Sequence, residues 1–210
     1  MRVIMWQIVK NADDFDYLID YPKGYEREKK YPVLIYLHGM GNVGKGVERL
    51  ATVCPVRRER MNEDMPFIIV APACNEHNWI IAFERLQKFI CNIIYSNYAD
   101  KSRIYLCGSS MGGYTSWNLL IARPDLFAAA VICCGAGMYF DASRIKIPVI
   151  AVHGEQDTTV LSRESVIMTE KINEFGGNAE LILHSDLGHD VWTRTFTDKT
   201  TYKWLLDKHR

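Results

Sequence analysis

The sequence has no run of about 18 apolar residues, the least that a helix needs to cross a bilayer, so a transmembrane helix is excluded. It also has no surplus of charge: 25 Lys and Arg balance 25 Asp and Glu over 210 residues. That removes the pull that draws whole chains onto nucleic acid or anionic membranes, and neither is expected as a partner. No C-x-x-C pair and no Cys/His ligand spacing occurs, so no metal and no cofactor is expected. Cys54, Cys74, Cys91, Cys107, Cys133 and Cys134 are instead read as thiols in a reducing compartment, several of them in apolar runs; one or two disulfides in an exported protein are the alternative. The first ten residues lack a small-residue cleavage site, and Asp13, Asp14 and Asp16 follow at once. They read as a strand and not a secretory signal, and a cytoplasmic protein is expected. Repeats, low-complexity tracts and linkers are missing too. With 48% hydrophobic residues, a single domain over residues 1–210 is expected.

What is present is an alternation. Six short apolar runs begin at Tyr31, Phe67, Arg103, Ala128, Pro148 and Glu180, and they end at Leu37, Ala71, Cys107, Cys134, Val152 and His184. Runs apolar on both faces suit strands of a covered parallel sheet. Between them, Phe83, Leu86, Phe89, Ile90, Ile93 and Ile94 recur at helical spacing, as do Leu161, Met168, Ile172 and Phe175 before Gly176-Gly177. Further helices are expected from Gly112 to about Pro124 and from about Asp198 to Leu206. The fold class is therefore α/β, with a mostly parallel central sheet and helices on both faces. Val3–Val9 and Asp16–Asp20 are expected as antiparallel edge strands, and Lys23–Lys30 as a solvated hairpin turn.

In such sheets ligands bind beyond the carboxyl ends of the strands. Four of those ends carry chemistry. Gly108-Ser109-Ser110-Met111-Gly112 is a G-x-S-x-G between a strand and a helix, and only Ser110 has glycines two before and two after. Such a turn presents a strained nucleophile at a helix N-terminus. His38-Gly39-Met40-Gly41 follows another strand, where the N–H of Met40 would join that of Met111 in an oxyanion hole. His38 itself reads as structural. Asp157 follows the fifth run and His189 the sixth, giving the order Ser, acid, His. A serine hydroxyl needs a base to take its proton, here His189, and Asp157 would orient that base. Glu155, Asp186 and Asp190 are rivals for the acid. Trp79 and Trp192 are expected to wall a substrate site, with a core role as the alternative for each. Tyr114 and Trp117 read as packing residues, and His77, His153, His184 and His209 as structural or solvated.

At these residues the chain resembles α/β-hydrolases of the compact esterase group, polyhydroxybutyrate-depolymerase-like and feruloyl-esterase-like enzymes beside prolyl-oligopeptidase-type hydrolases. The resemblance runs through residues 32–41, 103–114, 123–130, 147–157, Gly188-His189-Asp190-Val191-Trp192 and the closing Trp204-Leu205-Leu206. The stretch His38–Gly46 also looks like the matching loop of acyl-protein thioesterases and small carboxylesterases. The resemblance implies an α/β-hydrolase fold with Ser110 as nucleophile, Asp157 as acid, His189 as base, and Met40 and Met111 as oxyanion donors. Connections between strands leave no room for a cap domain, so an open site and short acyl groups are expected. The expected activity is hydrolysis of small carboxylic esters, some of them carbohydrate-linked, through an acyl-enzyme. A peptidase or thioesterase, or a catalytically dead relative that binds small molecules, are the alternatives. A small-molecule ester is the expected partner, and a homodimer is left open.

Overall fold

The structure, a computed structural model, describes residues 7–11, 14–57 and 65–210. In chain order its regular elements are β1 (Gln7–Val9), β2 (Tyr17–Asp20), β3 (Tyr31–Leu37), α1 (Gly46–Val53), β4 (Ile68–Pro72), α2 (Phe83–Ile94) and β5 (Ala99–Ser109). There follow α3 (Met111–Ala122), β6 (Ala129–Cys133), β7 (Pro148–Gly154), α4 (Arg163–Glu174), β8 (Asn178–His184), α5 (Trp192–Thr195) and α6 (Lys199–Leu206). The strands form one sheet in the order β1-β2-β4-β3-β5-β6-β7-β8. β3 to β8 are parallel, while β1 and β2 add an antiparallel edge.

The apolar runs are continuous because both faces are covered. Successive side chains of a strand point to opposite faces. Val33, Ile35 and Leu37 of β3 join one cluster with Leu86, Phe89 and Ile90 of α2, and with Leu119 of α3 and Met168 of α4. Leu34 and Tyr36 join the other, with Val47 and Leu50 of α1 and Tyr202 and Leu205 of α6. The fold is that of the α/β-hydrolases, and no connection among the described residues carries a cap domain.

Strand order reverses between β3 and β5, with β4 added on one side and β6 to β8 on the other. At such a switch point the two departing connections diverge and leave a crevice at the carboxyl ends. Met40 lies just beyond the end of β3, and Ser110 follows β5 directly.

Some expectations need correcting. Lys23–Lys30 is no hairpin turn, because β4 lies between β2 and β3 in the sheet. Nor is it wholly solvated, since Tyr25 packs between Tyr21 and Tyr31, with ring centroids 4.5 and 5.2 Å away. Leu161 and Phe175 fall outside α4 and are exposed, one before its start and the other at its C-cap. Tyr114 is more than one-third exposed at 37%, whereas Trp117 is fully buried as expected. Of the first expected strand, Val3–Trp6 lies outside the described residues. No described helix is long and apolar enough to cross a membrane.

Candidate active site

The site begins with a backbone distortion. Ser110 joins the end of β5 to the start of α3 with φ 54° and ψ −120°, a region that costs a non-glycine residue about 1–3 kcal/mol. Its neighbours explain how that turn fits. A Cβ on Gly108 would lie 2.4 Å from the Gly112 carbonyl oxygen, and one on Gly112 would lie 2.0 Å from that of Leu37. Only hydrogen side chains let the helix start pack onto the ends of β5 and β3. The two serines diverge from this turn. Ser109 Oγ lies 2.7 Å from the Tyr36 hydroxyl in the buried layer beneath. Ser110 Oγ lies 2.9 Å from His189 Nε2.

His189 arrives from the loop after β8, and Asp157 from the loop after β7. Gly154 allows these loops to touch: a Cβ there would lie 2.2 Å from the Gly188 carbonyl oxygen. The Asp157 carboxylate accepts from His189 Nδ1 at 2.6 Å on Oδ2, and from the backbone N–H of Thr159 (2.8 Å) and Val160 (3.0 Å) on Oδ1. Burial pushes this carboxyl up, but the His189 hydrogen bond and the two N–H groups outweigh it and hold it below its ordinary value. An ionised carboxylate only accepts, so His189 carries its proton on Nδ1 and turns the Nε2 lone pair toward Ser110. The rivals for the acid are engaged elsewhere. Asp186 forms a two-pronged pair with Arg194 at 2.9 and 2.7 Å. Asp190 holds the N–H and hydroxyl of Thr193, both at 3.0 Å. Glu155 is exposed.

The loop after β3 is fixed by His38, a buried residue whose Nε2 accepts from the Cys74 N–H at 3.0 Å. Its Nδ1–H therefore donates to the Gly39 carbonyl, 2.8 Å away. Trp79 holds the same loop, its indole N–H donating to the His38 carbonyl at 3.0 Å. Trp79 is fully buried and packs on Phe15 and His38, so it is no wall of a substrate site. It has a polar partner at the loop's root and no exposed surface to offer a ligand. Gly39 runs over the nucleophile, where a Cβ would lie 3.3 Å from that of Ser110. Met40 follows it, and Met111 opens α3, where the first N–H groups have no intrahelical acceptor.

Burial lowers His38 to about 4, since a charged imidazole would lose its water there. Against 6.5 for an exposed imidazole, its contribution to stability is full above about pH 6.5 and is lost as the pH falls toward 4, some 3 kcal/mol in all. Urea unfolding between pH 7 and 4 should show His38→Gln taking up about one proton fewer on unfolding near pH 5 than the parent chain. An equal pH slope in the two proteins would show that His38 is not held neutral.

Beside Ser110 lies a pocket of about 350 Å³, lined by Met40, Leu50, Val53, Pro55 and Trp192, with Tyr36 and Ser109 also reaching it. Trp192 lies edge-on to His189 with ring centroids 5.4 Å apart. α1 supplies Leu50 and Val53, and the sequence reading missed it. Gly44 and Gly46 at its start, both at positive φ, disguise it as a loop, and only Val47 and Leu50 are buried along it. Cys134, after β6, has φ 43°, and its thiol lies with the Asp157 and His189 ligand atoms inside a 4.8 Å cluster. Burial pushes that thiol up, and the other two groups are hydrogen-bonded to each other at 2.6 Å. His153, expected to be structural or solvated, is fully buried behind Asp157, with Nε2 3.2 Å from Oδ2.

Comparison with known proteins gives this geometry relatives. Over 174 residues, 80% of its length, the chain is 25% identical to the probable feruloyl esterase C of Aspergillus terreus, and it spans only 64% of that protein. The crystal structure of a thermostable esterase matches 98% of this chain with a TM-score of 0.81 at 26% identity, again over only 63% of its own length. Est1E from Butyrivibrio proteoclasticus (TM-score 0.74, 15% identity, 97% of this chain and 98% of that one) shares the fold. So does Porphyromonas gingivalis dipeptidyl peptidase 4 (0.75, 17%, 97% and 35%). The dienelactone hydrolase family model matches residues 81–200, more than half of the chain, and that stretch carries Ser110, Asp157 and His189 alike. By that match the chain belongs to the dienelactone hydrolase family.

Proposed function

We propose that the protein is a serine hydrolase of small carboxylic esters, in which Ser110 is the nucleophile, His189 the base and Asp157 the acid. The observation that carries this reading is the hydrogen-bond chain from Asp157 Oδ2 through His189 to Ser110 Oγ, with steps of 2.6 and 2.9 Å, at a strained elbow. Ser110 Oγ attacks the ester carbonyl carbon while His189 Nε2 takes its proton, and Asp157 stabilises the imidazolium. The carbonyl oxygen becomes an oxyanion, which the N–H groups of Met40 and Met111 receive. The intermediate collapses as His189 hands its proton to the leaving alcohol. A water, deprotonated by His189, then attacks the acyl-enzyme and releases the acid.

The pocket shapes the proposed substrate. Its walls combine Met40, Leu50, Val53, Pro55 and Trp192 with Asn42 and the hydroxyl-bearing Tyr36, Ser109 and Thr159. Burial pushes the Tyr36 phenol well above its ordinary value, so it stays protonated. A long alkyl chain would bury its end against these hydroxyls, and each further methylene gains less than the usual ~0.8 kcal/mol of full burial. Acyl groups of about two to four carbons should therefore have higher kcat/KM than those of eight or more. The test is a panel of acetyl, butyryl, octanoyl, feruloyl and aminoacyl esters, with an aminoacyl anilide as the amide control. A steady rise in kcat/KM to octanoyl would contradict the pocket argument, and faster cleavage of the amide than of the esters would replace the esterase reading by a peptidase.

A further inference from the structure

We propose that the open edge of β8 binds a second copy of this chain, the two β8 strands pairing antiparallel about a two-fold axis at Ile182. β8 ends the sheet, with β7 on one side and no described strand on the other. Edge strands of soluble proteins are commonly blunted by lysine, proline, a bulge or a covering segment. β8 runs Asn178-Ala179-Glu180-Leu181-Ile182-Leu183-His184 in unbroken register with β7, and it holds neither lysine nor proline.

Successive residues of a strand turn their N–H and C=O groups to opposite sides. The His184 carbonyl accepts from the Glu155 N–H at 3.0 Å, so the even-numbered residues of β8 face the β7 side and the odd-numbered ones face outward. At Ala179 the outward groups are already taken. The Asn173 side-chain amide accepts from its N–H and donates to its C=O, both at 2.8 Å, as a neighbouring strand would. The outward N–H and C=O groups of Leu181 and Leu183 meet no partner among the described residues.

One register uses both open residues of both copies. Antiparallel partners exchange a pair of hydrogen bonds where both residues face outward. With Ile182 opposite Ile182, Leu181 of each copy pairs with Leu183 of the other. Glu180 then stands opposite His184 at both ends of the seam, a carboxylate beside an imidazole that donates to it. Sliding by one residue sets outward groups against inward ones. Sliding by two places Leu183 against Ala179, which Asn173 occupies, or Glu180 against Asp186, two like charges. The side chains suit the same register. Leu181 packs on the sheet face that α4 covers, and Ile182 on the face of α6. Paired residues share a face. The exposed Leu183 is therefore covered by Leu181 of the copy. The two Ile182 side chains meet beside a pocket of about 330 Å³ that Glu180, Ile182 and His184 line together with Arg194 and Trp204.

Sedimentation of the purified chain at concentrations up to about 100 µM should give twice the chain mass. Ile182→Cys sets two thiols opposite each other in a non-hydrogen-bonded pair, where Cα atoms lie about 4.5 Å apart, a span that a disulfide bridges. Under mild oxidant this variant should form a covalent dimer joined at residue 182, as peptide mapping reads it. Glu180→Cys, which faces residue 184 of the copy, should form none. Leu183→Pro removes an outward N–H that the β7 ladder does not use, so it should fold and sediment as a monomer. A parent chain that stays monomeric would overturn the proposal, and that result includes an edge kept for the strand of a different protein. A dimer that folded Leu183→Pro retains would overturn it too, because the seam would then lie elsewhere. Where Leu183→Pro does not fold, the disulfide decides: a parent dimer whose Ile182→Cys variant gives no bond at residue 182 contradicts the register and the proposal with it.

Discussion

Ser110→Ala is expected to lower kcat on an activated acetate ester by about 10⁴-fold or more, while Ser109→Ala keeps most of the activity. The two hydroxyls are neighbours in sequence and differ in everything else. Ser110 Oγ has the imidazole of His189 at 2.9 Å and borders the pocket. Ser109 Oγ is buried on the Tyr36 hydroxyl at 2.7 Å, below the turn. Removing it strands one buried phenol, which is a stability cost of about 1–3 kcal/mol and leaves the reacting atoms untouched. Initial rates on the two purified variants, with thermal unfolding as the control for folding, check the pair. A dead Ser109→Ala beside an active Ser110→Ala would place the nucleophile one residue earlier.

Asp157→Asn should be nearly as damaging, with kcat down by about 10³–10⁴-fold. The amide is almost the same shape, so the loop should still form around the N–H groups of Thr159 and Val160. At Oδ2, however, an NH₂ group can now face the imidazole, which favours the wrong tautomer and leaves no negative charge for the imidazolium. Asp186→Asn and Glu155→Gln should each cost about tenfold or less, since Asp186 is tied to Arg194 and Glu155 is exposed. A near-normal Asp157→Asn together with a dead variant at either other position would move the acid there.

Much of this arrangement was legible in the sequence because strand ends in a parallel sheet are punctuated. Each run that is apolar on both faces stops at a glycine, a proline or a polar residue, and the groups after β3, β5, β7 and β8 are the ones that converge. The register of glycines around Ser110 was readable for a steric reason that the structure makes concrete: Gly108 and Gly112 sit where a Cβ would collide with backbone. Less was legible where a residue's role depends on contacts across the fold. Trp79 and Trp192 look alike in sequence, each in a loop near a strand end. One is buried on the His38 carbonyl while the other stands against His189. His153 was read as structural or solvated, and nothing local reveals that the chain turns back to set Asp157 Oδ2 3.2 Å from its ring. α1 was hidden by its own glycines, although it supplies part of the pocket wall.

The central claim is that Ser110 is an activated nucleophile, and covalent labelling tests it most directly. The parent protein treated with a fluorophosphonate should gain the mass of one adduct, mapped to the peptide that carries Ser110, and Ser110→Ala should gain none. Absence of labelling in the folded parent protein, or an adduct mapped to another residue, would contradict the account.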